Sequence, residues 1–148
     1  MDGIVLARPI ASKRHQRLVR LLANALDDAA GPDWNADTGV GIRLRDVPLD
    51  HRRPAVTIYR SETIDISPTR PEHVLLVVET TERIVAADQY ARAVIPFYWQ
   101  VEQAAAGAPI VHTYVLDPAT GRYRDGEIGT GAVTLTTPFA VEVDLGRI

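Results

Sequence analysis

Hydrophobic residues recur along this chain at two spacings, one typical of helices and the other typical of strands. Over residues 13–29, leucine and alanine return every three or four positions, which places them on one face of a helix. Ser12 precedes the stretch as a favourable N-cap, and Gly31-Pro32 follows it as a stop signal. The pattern predicts an N-terminal amphipathic helix over residues 13–29.

Beyond Pro32 the apolar residues gather into short β-branched runs separated by turn residues, which is typical of strands. The continuous run 74–78 predicts a strand buried on both faces. A second helix is predicted over residues 82–94, ending before Pro96. The segment 46–54 is polar and bounded by proline, which indicates a loop. Strands are predicted over residues 38–44 (as a strand or a hairpin), 56–59, 74–78, 97–101, 110–116, 122–128, 132–135 and 139–143.

The order of these elements predicts the fold class. A helix, three strands, a helix and a strand, followed by β-hairpins, indicate an α/β protein with a mixed β-sheet flanked by helices. The 148 residues are the length of one ordinary domain. We therefore expect a single domain over residues 1–148, with β-hairpins at its C-terminal end.

Composition narrows the classes of function. The absence of cysteine excludes disulfides and thiolate metal sites, and it fits a reducing cytoplasm. No apolar run approaches the roughly 20 residues that cross a bilayer, and the N-terminus lacks the pattern of a secretion signal. A net charge of −3 counts against nucleic acid as the partner. We expect a cytoplasmic protein with no membrane partner.

Basic residues concentrate on the first predicted helix. Lys13, which is the only lysine, and Arg14, Arg17 and Arg20 lie mostly off the apolar stripe. Two interpretations remain open, a solvated basic face and a phosphate-binding face, and the first is favoured.

Three segments carry a resemblance to a known family. They are Pro54-Ala55 before a short strand, Glu79 at the end of a hydrophobic strand, and Ala86 four residues before Tyr90 on the following helix. This arrangement resembles the Uma-type restriction endonuclease-like family, a bacterial branch of the PD-(D/E)XK nucleases. That family has Asp where Ala55 stands and Lys where Ala86 stands, whereas its Glu is kept as Glu79.

The resemblance implies a restriction-endonuclease-like fold whose metal chemistry is eroded. In these nucleases an Asp and a Glu hold Mg²⁺, and a Lys polarises the attacking water. Ala55 removes the first carboxylate and Ala86 removes the cation. We expect no cofactor, with Mg²⁺ required only if carboxylates such as Asp65 or Glu82 have moved into the site.

Six residues are candidates for the site. Glu79 is the catalytic candidate, as a remnant ligand or an acid/base, although a structural ion pair with Arg53 or Arg83 explains a buried Glu equally well. His15 is a cleft candidate because a similar His-Gln pair is common at this place in the family. The complete set of candidate cleft residues besides Glu79 is His15, Arg53, Asp65, Thr81 and Arg83.

Three functions of different classes follow. The first is a non-nuclease binding or interaction protein that forms a homodimer. The second is an enzyme that acts on a small-molecule ligand in the former metal cleft, with Glu79 as acid or base. The third is an active Mg²⁺-dependent DNA endonuclease with migrated ligands. The two alanines favour the first two, which are close, over the third.

Overall fold

The protein is a mixed α/β fold in which one six-stranded sheet carries a helix on each face. A computed structural model describes residues 12–80, 84–103 and 107–148. The elements are α1 (Lys13–Ala30), β1 (Trp34–Thr38), β2 (Ile42–Arg45), β3 (Asp50–Arg52), β4 (Val56–Arg60), β5 (Val74–Glu79), α2 (Ile84–Arg92), β6 (Phe97–Glu102), β7 (Ile110–Asp117), β8 (Arg122–Thr130), β9 (Ala132–Leu135) and β10 (Val141–Asp144).

Helix α1 forms where the periodicity predicts it. The Ser12 hydroxyl accepts a hydrogen bond of 3.0 Å from the His15 backbone N–H and so caps the first turn. Gly31 ends the helix with φ 80°, a conformation that glycine adopts without steric cost. The predicted helix is confirmed, and three of its buried side chains, Leu18, Leu22 and Leu26, belong to the predicted apolar stripe, whereas the fourth, Ala23, lies beside that stripe.

The large sheet has the strand order β1-β4-β5-β6-β7-β8. Strands β5 and β6 pair in parallel, with Leu76 opposite Phe97, and the other four neighbouring pairs are antiparallel. Parallel neighbours need a crossover connection, and α2 lies on the connection between these two strands. The predicted mixed sheet is confirmed.

Two apolar layers lie on opposite faces of this sheet. Trp99 and Leu76 pack with the buried face of α1, whereas Tyr98 and Val77 pack with Tyr90 of α2. Because successive residues of a strand point to opposite faces, β5 contributes to both layers. The prediction that residues 74–78 are buried on both sides is confirmed for all but Leu75, which is half-buried.

Two predicted segments were wrong. A strand or a hairpin was expected over residues 38–44, but β1 ends at Thr38 and β2 starts at Ile42, with a turn at Gly39 (φ 72°) between them, and these two strands pair with β4 and β3 and not with each other. The loop expected over residues 46–54 contains β3, which pairs with β2 as a two-stranded ribbon. Strand β2 has an apolar side of its own, because Ile42 and Leu44 pack in the layer that contains Tyr90, whereas β3 is short and polar and is held by its pairing with β2.

The C-terminal part consists of two hairpins, as predicted. Strand β8 pairs with β7 and forms one edge of the large sheet. Strands β9 and β10 pair with each other, and their inward-facing Val133, Leu135 and Val141 join the apolar layer beneath α1. None of the helices in the described ranges combines the length and the apolar character needed to span a membrane.

The turn that follows α2 contains a strained residue, which leads to a prediction about stability. Val94 has φ 64° and is 69% exposed. A side chain with a Cβ in this left-handed conformation costs roughly 1–2 kcal/mol. We expect Val94→Gly to raise the free energy of unfolding by about 1 kcal/mol in urea denaturation, after allowance for glycine's greater unfolded-state entropy. The neighbouring control, Ala93→Gly, has no such strain to relieve, and a gain of equal size there would contradict the explanation.

Candidate ligand-binding cleft

A cleft of about 580 Å³ lies between α1, strand β1 and the segment that leads into β4. Its volume falls within the roughly 300–1,000 Å³ of small-molecule sites in proteins. Apolar side chains and polar side chains of both charges line it. The lining residues are His15, Gln16, Val19, Arg20, Ala23, Asn24, Ala36, Asp37, Thr38, Gly39, Arg53, Pro54 and Ala55.

Helix α1 forms one wall through residues spaced four apart. His15, Val19 and Ala23 follow one another along the helix, and Gln16, Arg20 and Asn24 form a parallel row beside them. Residues at this spacing lie on the same side of a helix. The first row contributes mainly apolar surface and the second row polar groups, so the wall changes from apolar to polar across its width.

Strand β1 forms the second wall and is fixed in position by hydrogen bonds. The Asp27 carboxylate of α1 accepts a 3.0 Å bond from the Ala36 backbone N–H, which ties the strand to the helix. Asp37 accepts a 2.6 Å bond from the Tyr59 hydroxyl. Burial and this hydrogen bond to Asp37 raise the pKa of Tyr59. Asp37, the one carboxylate among the described lining residues, is therefore already engaged by a neutral donor.

The third wall is the segment from Arg53 to Ala55. The Ala55 backbone N–H donates a 2.9 Å bond to the Val78 carbonyl, which holds the segment against β5. A Cβ built on Gly41 would lie 2.6 Å from His51 and 3.8 Å from an Arg53 nitrogen. Because Gly41 has no side chain, the His51 ring can lie directly against it, close to Arg53.

The two arginines of the cleft lack an acidic partner among the described residues. Neither Arg20 nor Arg53 forms a salt bridge with another described residue, and both are exposed. Asp37 is the single acid among the described lining residues, which therefore carry an excess of one positive charge when His15 is neutral.

Glu79 lies at the end of β5 and is half-buried, but it is not among the lining residues of this cleft. Its carboxylate accepts a 2.7 Å hydrogen bond from the Tyr90 hydroxyl of α2, and Gln100 of β6 is its neighbour in the sheet register. Burial first, and the charge of Glu79 second, raise the pKa of Tyr90. The tyrosine therefore stays a neutral donor to this carboxylate.

The predicted site residues are thus divided among several places. His15 and Arg53 line the cleft together with Ala55, whereas Glu79 contacts α2. Asp65 is exposed in the loop that follows a 3-10 turn at Ser61–Thr63. Two candidates, Thr81 and Arg83, lie outside the described residues, as do Glu82 and the side chain of Ala86.

Sequence reasoning did not identify two cleft residues, Arg20 and Asp37. The helical spacing from His15 and Gln16 was a usable signal for Arg20, whose helix face was interpreted as solvated in preference to the alternative of a phosphate-binding face. Asp37 had no such signal, because its position follows from the pairing of β1 with β4, where it is opposite Thr57.

The comparisons with known proteins supply no relative from which a role for the cleft could be transferred. No protein-family model matches the chain, and neither the curated proteins nor the solved structures include a significant match. The resemblance to the Uma-type family therefore stays a prediction from sequence motifs.

The donor groups of the cleft do not fit Mg²⁺. This ion prefers anionic oxygen ligands in near-octahedral geometry. Of the described cleft residues only Asp37 offers a carboxylate, and two guanidinium groups share the lining with it. Across the described ranges there is also no group of three or more His, Cys, Asp or Glu residues suited to a metal ion. The groups present are better suited to holding an anion.

Proposed function

We propose that this protein is a binding protein built on a restriction-endonuclease-like fold that lacks phosphodiesterase chemistry. The observation that carries the proposal is the position of Ala55. It lines the cleft where the family pattern has an aspartate, and the charged groups that share the described lining are Arg20, Arg53 and Asp37. A cleft with this lining favours binding of a ligand over metal-dependent hydrolysis.

The chain order supports the finer description of the fold. Helix α1 is followed by β1, β4 and β5, then by α2 and β6, and these four strands are neighbours in the sheet. The order of helix, three strands, helix and strand agrees with the predicted order, although the first strand lies at Trp34–Thr38 and not at residues 38–44. The β2–β3 ribbon is an insertion between the first two strands of this unit.

The chemistry of phosphodiester cleavage determines how far the cleavage rate is expected to fall. Loss of one preorganised charged group typically lowers the rate roughly 10²- to 10³-fold. The substitutions Ala55 and Ala86 remove two such groups. An arginine such as Arg53 binds phosphate well but does not deprotonate water at neutral pH.

The contact between Glu79 and Tyr90 supports a structural role for this carboxylate. A half-buried carboxylate needs hydrogen-bond donors, and the Tyr90 hydroxyl supplies one at 2.7 Å. Glu79 therefore contributes to the attachment of α2 to the sheet. Its position outside the lining of the described cleft weighs against acid–base catalysis on a ligand there.

The direct test is cleavage of supercoiled plasmid by the wild-type chain in Mg²⁺ or Mn²⁺. We expect no nicking beyond the level of an EDTA-containing control, because the cleft offers one carboxylate and no lysine. The matched control is the Asp37→Asn variant, purified in parallel. Metal-dependent nicking by the wild-type chain that Asp37→Asn abolishes would overturn the proposal and establish a nuclease with a migrated ligand.

A further inference from the structure

We propose that the cleft between α1 and β1 binds a small organic monoanion, with the acidic group held by Arg20 and Arg53 and the apolar body lying against Val19 and Ala23. This inference rests on the proposed function, since it names the class of ligand that the binding protein takes. Four observations carry it, namely the volume of the cleft, its apolar surface, its unpaired cations and its single engaged carboxylate.

The apolar surface selects an organic ligand over an inorganic ion. Val19, Ala23, Ala36 and Pro54 contribute apolar atoms to the lining. Small-molecule sites combine mostly apolar walls with a few polar groups that set orientation. A bare phosphate or sulfate ion would leave this surface in contact with water, whereas a ligand with a hydrocarbon or ring portion would cover it.

The charged groups select an anion. Arg20 and Arg53 are cleft residues from different elements, and no described acidic side chain forms a salt bridge with either of them. Charge-assisted hydrogen bonds from guanidinium groups to a carboxylate or a phosphate are among the stronger polar contacts in proteins. His15 lies at the same wall and supplies a further ring nitrogen.

The net charge of the described lining residues favours a ligand with one negative charge. Two guanidinium groups against the one carboxylate of Asp37 leave an excess of one positive charge. Because Asp37 already accepts the Tyr59 hydroxyl at 2.6 Å, its position is fixed, and it opposes a second negative charge on the ligand.

The test compares three probes of the same shape and different charge, namely benzoate, benzyl alcohol and benzamidine. Each is titrated into the ¹⁵N-labelled full chain at low salt while amide chemical shifts are followed. We expect benzoate to shift the amides of residues 15–24 and 36–39, and to bind about tenfold or more tightly than the neutral and cationic probes. Equal binding of all three probes, or benzoate shifts confined to other surfaces, would overturn the inference.

Two variants and a matched control locate the charge. Arg20→Gln and Arg53→Gln are each expected to weaken benzoate binding roughly five- to tenfold, because each removes one charge-assisted contact. Arg17→Gln removes the same charge from the same helix at an exposed position outside the lining, so it should leave affinity within about twofold. An equal loss in the Arg17 variant would show a general effect of charge and contradict a specific site.

The outcomes separate this inference from the function on which it rests. Absence of benzoate binding together with absence of plasmid nicking would remove the ligand class and leave the non-nuclease proposal intact. Metal-dependent nicking would remove the proposed function whatever benzoate does. A short DNA duplex serves as a fourth ligand, and duplex binding that displaces benzoate and depends on Arg20 and Arg53 would identify nucleic acid as the ligand and contradict the small-anion assignment.

Discussion

Trp99→Ala is expected to lower the free energy of unfolding by about 3–5 kcal/mol, the range for truncating a large buried aromatic side chain. Trp99 is fully buried on β6, in the layer between the sheet and α1. Its indole N–H also donates a 3.1 Å hydrogen bond to the Thr137 carbonyl, which ties the C-terminal segment to the sheet. Truncation therefore opens a cavity and leaves that carbonyl without its donor.

Trp34→Ala is the matched control, because Trp34 is the only other tryptophan and is half-buried on the edge strand β1. Its ring lies 5.7 Å from the Arg60 guanidinium, a contact of modest strength. Urea denaturation followed by circular dichroism should show a loss at Trp99 at least twice that at Trp34. If Trp99→Ala does not fold, Trp99→Phe provides the comparison, and equal losses at the two positions would contradict the described packing.

Alkaline pH is expected to destabilise the protein steeply from about pH 10 upward. Burial raises the pKa of Tyr90 and of Tyr98, and the charge of Glu79 raises both further. The pKa of Tyr123 is also raised, by burial and by Tyr98. A tyrosine with a folded-state pKa above its unfolded value of 10.0 stabilises the fold fully below that value, and this stabilisation is lost as the pH rises above it.

The loss of stability per pH unit follows from the number of buried tyrosines that ionise only on unfolding. Each buried tyrosine that ionises only on unfolding lowers stability by roughly 1.4 kcal/mol per pH unit above pH 10. Tyr90, Tyr98 and Tyr123 together predict a slope of about 4 kcal/mol per pH unit. Few other groups titrate there, because Lys13 is the only lysine and arginine ionises at higher pH.

Urea denaturation at pH 8, 10 and 11 measures the slope, and absorbance at 295 nm reports tyrosinate. We expect tyrosinate to appear together with unfolding, and Tyr98→Phe to reduce the slope by about 1.4 kcal/mol per pH unit because one ionisable group is removed. Ionisation of all the tyrosines near pH 10 in a chain that stays folded would contradict the described burial.

How much of the fold could be predicted depended on how each element gains its stability. Helix α1 and strand β5 are held by their own apolar surfaces, so the spacing of hydrophobic residues located them within one or two residues. Strand β1 has the polar sequence Trp-Asn-Ala-Asp-Thr, with only Ala36 fully buried. Pairing with β4 holds it in place, and the spacing of residues within β1 does not indicate which strand is its partner.

The site was predictable to a smaller extent, for the same reason. The motifs located His15, Arg53 and Ala55, and the structure brings these three residues to one cleft. They did not indicate that Glu79 would contact Tyr90 of α2, because that contact depends on how the helix packs on the sheet. The homodimer and the cytoplasmic location expected from the sequence stay predictions.

The measurement that tests the central claim most directly is calorimetric titration of Mn²⁺ into the wild-type chain and into the Ala55→Asp, Ala86→Lys double variant. The claim is that the cleft has lost its metal chemistry through the missing aspartate. We expect no binding heat from the wild type and measurable binding by the double variant, because the substitution at Ala55 places a second carboxylate in a cleft that already contains Asp37. Saturable Mn²⁺ binding by the wild-type chain, with cleavage of DNA to match, would contradict the account.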